Sequence, residues 1–107
     1  MCEKSVNSVN PVNDDSEQRK RIHEIVDIVL DTNGFGRRKC ETTGNLPTCF
    51  LWFCGHTATF EVQLHENGWE PGAPWTEFVF DVDGIITRNK IEALRYACAA
   101  ALEGKEV

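Results

Sequence analysis

The sequence predicts an α+β two-layer sandwich with elements in the order α-β-β-β-β-α, an antiparallel sheet and both helices packed on one face of it. Three observations carry this expectation. Apolar residues recur at helical spacing near both ends of the 107-residue chain. Between them lie runs whose apolar residues alternate with a period of two. The connections between those runs are short, which suits antiparallel neighbours.

Met1–Asn13 is polar, with Val6-Asn7, Val9-Asn10 and Val12-Asn13 repeating every three residues. That step suits neither helix nor strand, so residues 1–13 are expected to be a disordered tail and 14–107 a single domain. From Ser16 to about Thr32 a helix is expected. Asp14, Asp15 and Ser16 supply its cap and early negative charge, and Ile22, Ile25, Val26 and Val29 form one stripe. Asn33-Gly34 ends it, because both residues tolerate the left-handed conformation.

Arg37–Thr43 reads as a polar edge strand, followed by a turn at Gly44-Asn45-Leu46-Pro47. Thr48–Cys54 is almost continuously apolar, the pattern of a central strand covered on both faces. After Gly55-His56, residues 58–64 alternate and place Ala58, Phe60, Val62 and Leu64 inward. His65–Pro74 is a connection rich in Gly and Pro. Thr76–Val82 alternates again, with Phe78, Phe80 and Val82 inward and Glu77, Val79 and Asp81 outward. The last element is a helix from about Arg88 to Leu102. Thr87 caps it, Ile86 and Ile91 have the spacing of a hydrophobic staple, and Ile91, Leu94, Cys98, Ala101 and Leu102 form its buried face. Gly104 stops it.

No run approaches the roughly 20 apolar residues of a membrane helix. The N-terminus lacks the basic and apolar blocks of a signal peptide. The five cysteines, Cys2, Cys40, Cys49, Cys54 and Cys98, are an odd number. Together these features predict reduced thiols and a cytoplasmic protein. The net charge is −6, and residues 57–86 hold six acids and no Lys or Arg. That balance disfavours nucleic acid, whose phosphates are bound chiefly by basic side chains.

Several constellations carry chemistry. Phe78–Thr87, an apolar strand followed by Asp81-Val82-Asp83-Gly84 and then Thr87, resembles the first motif of the haloacid dehalogenase-like phosphatases. The resemblance implies Asp81 as nucleophile, Asp83 as acid/base and Mg²⁺ held between them. Twenty residues follow Thr87, fewer than that family's remaining sheet, its Lys and its second acidic pair require. The expectation is therefore a strand ending in an Asp-Gly turn, with no catalytic residues, no metal and no cofactor. Cys40, Cys49, Cys54 and His56 invite a zinc reading. Cys49 and Cys54 are five apart, however, and point to opposite faces of a regular strand.

The α-β-β-β-α order with a basic, alanine-rich last helix (Arg88, Lys90, Arg95, Ala97, Ala99, Ala100) resembles double-stranded-RNA-binding domains. Arg19-Lys20-Arg21 and Arg37-Arg38-Lys39 would add a basic patch beside the first helix. The departures are an extra strand, no Lys-Lys pair opening the last helix, and an acidic sheet.

The connection from His65 to Trp75 holds two of the three tryptophans, two acids and two prolines. A Trp on a stiff exposed loop is a typical interface anchor. Beside it, Glu61, Glu77 and Asp81 would form a negative strip if their strands pair. The sequence thus points to a non-enzymatic protein-binding module for a partner with a basic surface, using Trp69, Trp75, Glu61, Glu70, Glu77 and Asp81. In size and charge it resembles the accessory proteins and inhibitors of phages and mobile elements. If the sheet face away from the helices is open, Trp52 and Cys54, or Leu51 and Phe53 in the other register, call for cover, and a homodimer would provide it.

Overall fold

The computed structural model describes residues 14–35 and 43–103. The expected tail, and the expected strand Arg37–Thr43 apart from Thr43 itself, lie outside the described residues. Within them the order is α1 (Asp14–Asn33), β1 (Thr48–Cys54), β2 (Thr59–His65), β3 (Thr76–Asp81) and α2 (Arg88–Leu102). The strands form one antiparallel sheet in the order β1-β2-β3. The α+β class is as expected, but no fourth strand is seen among the described residues.

Helix α1 spans Asp14–Asn33, beginning two residues earlier than expected. Its stripe packs as the spacing requires. Ile25 and Val29 are buried, Ile22 and Val26 are partly so, and Ile28 joins them. The end of the helix divides two roles. Gly34 takes the left-handed conformation (φ 72°) and donates to the carbonyl of Leu30 at 2.8 Å. Asn33 stays helical and pairs with the backbone of Cys49 in both directions, accepting from its N–H at 2.7 Å and donating to its carbonyl at 3.1 Å. One amide side chain thereby ties the helix to the start of β1.

The register of β2 sorts the sheet into two faces. Phe60, Val62 and Leu64 point toward the helices and are fully buried, opposite Phe53, Leu51 and Cys49 on β1 and Phe80, Phe78 and Thr76 on β3. They pack with Ile25, Ile28 and Val29 of α1, Ile91, Leu94 and Cys98 of α2, and Ile86. Burial of these side chains, at roughly 1.5–3 kcal/mol each, is the main force holding the layers together. Ala58 is not part of the strand. It sits in the preceding turn with φ 54°.

One expectation is corrected. Thr48–Cys54 is not a central strand covered on both faces: β2 is central, and β1 lies at the edge of the sheet described here. Leu51, Trp52, Phe53 and Cys54 are all exposed, Phe53 to 60 %. A continuous apolar run is equally compatible with burial on both sides and with an edge that carries aromatic side chains on both faces. Only the packing of α1, which meets β1 at Cys49, separates the two.

Helix α2 keeps the expected features. Thr87 caps it, its hydroxyl accepting from the N–H of Lys90 at 3.3 Å, and Ile86 and Ile91 are both buried. Ile91, Leu94 and Cys98 form its buried face, while Ala101 and Leu102 are only half-buried. The turn before it is clamped by Gln18 of α1. Its Nε2 donates to the carbonyls of Val82 (3.0 Å) and Gly84 (2.6 Å), and its Oε1 accepts from the N–H of Ile86 at 3.4 Å. Arg21 adds a bond to the Ile86 carbonyl at 2.8 Å.

Candidate functional site

The face of the sheet turned away from the helices is the largest feature the core does not use. The register arranges it in rows. Cys54, Thr59 and Asp81 form one, Trp52, Glu61 and Val79 the next, then Phe50, Gln63 and Glu77, with Thr48 and His65 beyond. Glu61, Glu77 and Asp81 therefore share one face, as their alternation predicts. That face carries three carboxylates and no Lys or Arg.

Aromatic side chains line the β1 side. The rings of Phe50 and Trp52 stack at 5.8 Å with their planes 14° apart, and Trp52 remains 48 % exposed. Phe50 in turn meets His65 edge-on at 5.2 Å and Trp69 at 6.3 Å. Past the end of β2, His65 lies against Trp75 at 5.7 Å, and Trp75 is 53 % exposed. The three tryptophans thus share one aromatic rim, reaching from the edge strand to the β2–β3 connection. His65 lies at its base, only 3 % exposed. Burial lowers its pKa, against a hydrogen bond to the Pro74 carbonyl, and its Nδ1 has no hydrogen-bond partner among the described residues.

The connection is held by backbone. Trp69 donates its N–H to the Thr43 hydroxyl at 2.7 Å and accepts from the Thr43 N–H at 3.0 Å. Gly68 makes this approach possible, with φ 96° and the Gly44 backbone lying where a Cβ would stand. Of the two anchors expected here, Trp69 is half-buried against Phe50 and Trp75 stands out. Glu70 is exposed in the turn between them.

The acids interact with one another. Glu61 shares a hydrogen bond with Glu77, and this bond, with slight desolvation and the repulsion of the neighbouring charge, raises its pKa above the usual carboxylate value. The two carboxylates repel each other, and a nearby cation would relieve that repulsion. Trp52, next to Glu61 in its row, presents an exposed indole face, a good seat for a cation. Phe50 and His65 were not singled out as site residues in the sequence, and Trp52 was named only as one of two alternatives needing cover by a homodimer; the register places it, with Cys54, on the open face. Their signal was the apolar run itself, which burial explained equally well.

The other candidates assemble less. Asp81 lies at the end of β3 on the open face and Asp83 in the clamped turn. Among the described residues, no three His, Cys, Asp or Glu come together as a metal site would need. Cys49 faces the core and Cys54 faces solvent, as their odd spacing demands, while Cys40 is outside the described residues. The basic groups of α2 are largely neutralised. Arg88 bonds Glu24 at 2.7 Å and Glu92 at 2.6 Å, and Arg95 bonds the same two acids. Arg19 and Lys20 are exposed on α1, and Arg37, Arg38 and Lys39 lie outside the described residues. Among the described residues no helix is long and apolar enough to cross a membrane. No protein-family model, curated protein or solved structure matches the chain.

Proposed function

We propose that this protein is a binding module whose open sheet face takes a basic segment of a partner protein. The observation that carries this reading is the Glu61–Glu77 pair: two carboxyl groups brought together on an exposed face, beside the indole of Trp52, with no Lys or Arg on the strands of that face and Lys90 of α2 held at the edge of β3 by its bond to the Val79 carbonyl. An arginine or lysine from a partner would relieve the repulsion between the acids and stack on Trp52, with Asp81 extending the negative strip by one row. Trp75 and Trp69 supply apolar area at the end of the same surface, and Glu70 adds charge on the loop. Potential of one sign over such a face speeds encounter with a basic partner and rejects acidic ones.

The test uses a defined probe, an unstructured peptide of alternating arginine and glycine, followed by tryptophan fluorescence and by calorimetry at low salt. Wild type is expected to bind it and Glu77→Lys to bind at least about tenfold more weakly, with Trp52→Ala also impaired. Binding at mildly acid pH is expected to release protons, because a cation beside Glu61, whose pKa is raised, favours its charged form. Equal binding by wild type and Glu77→Lys would refute the assignment of this face.

RNA binding is a second reading, and the α-β-β-β-α order is the observation in its favour. Against it stand the acidic sheet and the pairing of Arg88 and Arg95 with Glu24 and Glu92. Titration with a duplex of about 16 base pairs separates the two readings. Steeply salt-dependent binding that is untouched by Glu77→Lys would transfer the function to RNA.

A further inference from the structure

Two of the three described cysteines are neither exposed nor isolated. Cys49 on β1 and Cys98 on α2 point into the core from opposite layers, and their sulfurs lie 3.9 Å apart. They are 49 residues apart in sequence, so only the packing of α2 across the sheet brings them together. We propose that Cys49 and Cys98 form an oxidisable dithiol, which a peroxide converts to a disulfide tying the edge strand of the open face to helix α2.

The surroundings favour Cys98 as the first thiol to react. A hydrogen bond from Cys49 lowers its pKa to about 7 against the opposing effect of burial. Thr32, buried at the end of α1, assists. Its hydroxyl donates to the Ile28 carbonyl at 2.8 Å and can turn its one proton toward the sulfur instead. The thiolate is the nucleophile in thiol oxidation.

The step balances without any group the protein lacks other than the peroxide. The Cys98 thiolate attacks one peroxide oxygen, the O–O bond breaks, and hydroxide leaves and takes up a proton as water. Cys98 is then a sulfenic acid. Cys49, having lost its proton, attacks that sulfur and expels a second hydroxide, which leaves as water. Two thiols and one hydrogen peroxide become one disulfide and two waters. The thiols lose two electrons and the peroxide gains them.

Both sulfurs are almost fully buried, so peroxide reaches them when the end of α2 opens. Cys98 is only four residues from the end of that helix at Leu102, where local opening costs least. Once formed, the bond closes a loop that contains β2, β3 and most of α2, and it restrains the strand that carries Phe50 and Trp52. Oxidation therefore stiffens the surface proposed to bind a partner, although the dithiol itself does not depend on that reading.

The experiment starts from a chain in which Cys2, Cys40 and Cys54 are all replaced by serine, leaving only the two core thiols. It is exposed to limiting hydrogen peroxide, and intact mass, free thiols after unfolding and thermal unfolding are followed. The expected result is the loss of two hydrogen masses and of both free thiols, a peptide linking Cys49 to Cys98, and a rise in Tm of several degrees that a dithiol reductant reverses. Added oxygen on Cys98 with Cys49 still free would overturn the proposal, and so would two thiols that survive treatment while the unfolded chain is oxidised readily. The parent chain keeps both core cysteines, so its folding can be checked before peroxide is added.

Discussion

Gly68→Ala is expected to cost about 3–4 kcal/mol. At φ 96° an alanine is strained on backbone grounds alone, by roughly 1–2 kcal/mol. The added Cβ would also run into the carbonyl oxygen of Gly44, lie 2.8 Å from its carbonyl carbon, and crowd the Thr43 hydroxyl at 3.2 Å. The two turns must then separate. Doing so breaks the reciprocal bonds between Thr43 and Trp69, of 2.7 and 3.0 Å, each worth about 1 kcal/mol. At about 4–8 °C per kcal/mol for a domain of this size, Tm should fall by at least about 12 °C. Gly72→Ala is the matched control. Gly72 also has positive φ, 85°, but nothing lies within 4 Å of its added Cβ, so only the backbone strain remains, about 1 kcal/mol. Urea unfolding of both variants, followed by tryptophan fluorescence and circular dichroism, measures the difference. If the two substitutions cost the same, the close approach of residues 43–44 to residues 68–69 does not contribute, and the account of how Trp69 is positioned fails.

Stability should fall in two separate steps as pH drops. His65 is held neutral, its pKa below the ordinary 6.5, so the unfolded chain binds more protons between that depressed value and 6.5. Stability from this group is complete above pH 6.5 and declines as pH falls through the window below it, a decline that His65→Phe should flatten in urea titrations between about pH 7 and about pH 5. Glu24 is lowered from 4.5, first by its bond to Arg88, so its contribution is full above 4.5 and disappears as pH falls further. Glu24→Gln removes the acid shared by Arg88 and Arg95 and should cost about 1 kcal/mol at neutral pH, since these side chains are partly exposed. That loss should shrink in high salt, as denaturation at two ionic strengths would show.

Much of this fold can be read along the chain because it depends on near neighbours. The stripe at Ile22, Ile25, Val26 and Val29, the cap at Thr87, the staple of Ile86 on Ile91 and the alternation of residues 59–64 and 76–81 each follow from local geometry. The outward set Glu61, Glu77 and Asp81 needed only that alternation and the assumption that β2 pairs with β3. The site itself was half legible. Its acids were visible, and so were Trp69 and Trp75, because their loop is rich in Gly and Pro. Phe50 was hidden inside an apolar run, and Trp52 was visible only as one of two register alternatives, because the periodicity of that run cannot distinguish one face from the other or an edge from a centre.

By itself, then, the sequence determined the element types, most of their bounds and the side of β2 and β3 a residue occupies, since a period of two or of 3.6 is a property of the local backbone; for the unbroken apolar run of β1 it left the side open. Strand order was decided by the tertiary structure, and with it the exposure of β1. So were the burial of His65 between Phe50 and Trp75, the contact of Trp69 with Thr43, the approach of Glu61 to Glu77 and the meeting of Cys49 with Cys98. Each of these depends on which distant surfaces pack together, and that is set by burying the whole apolar area at once rather than by any single window of residues.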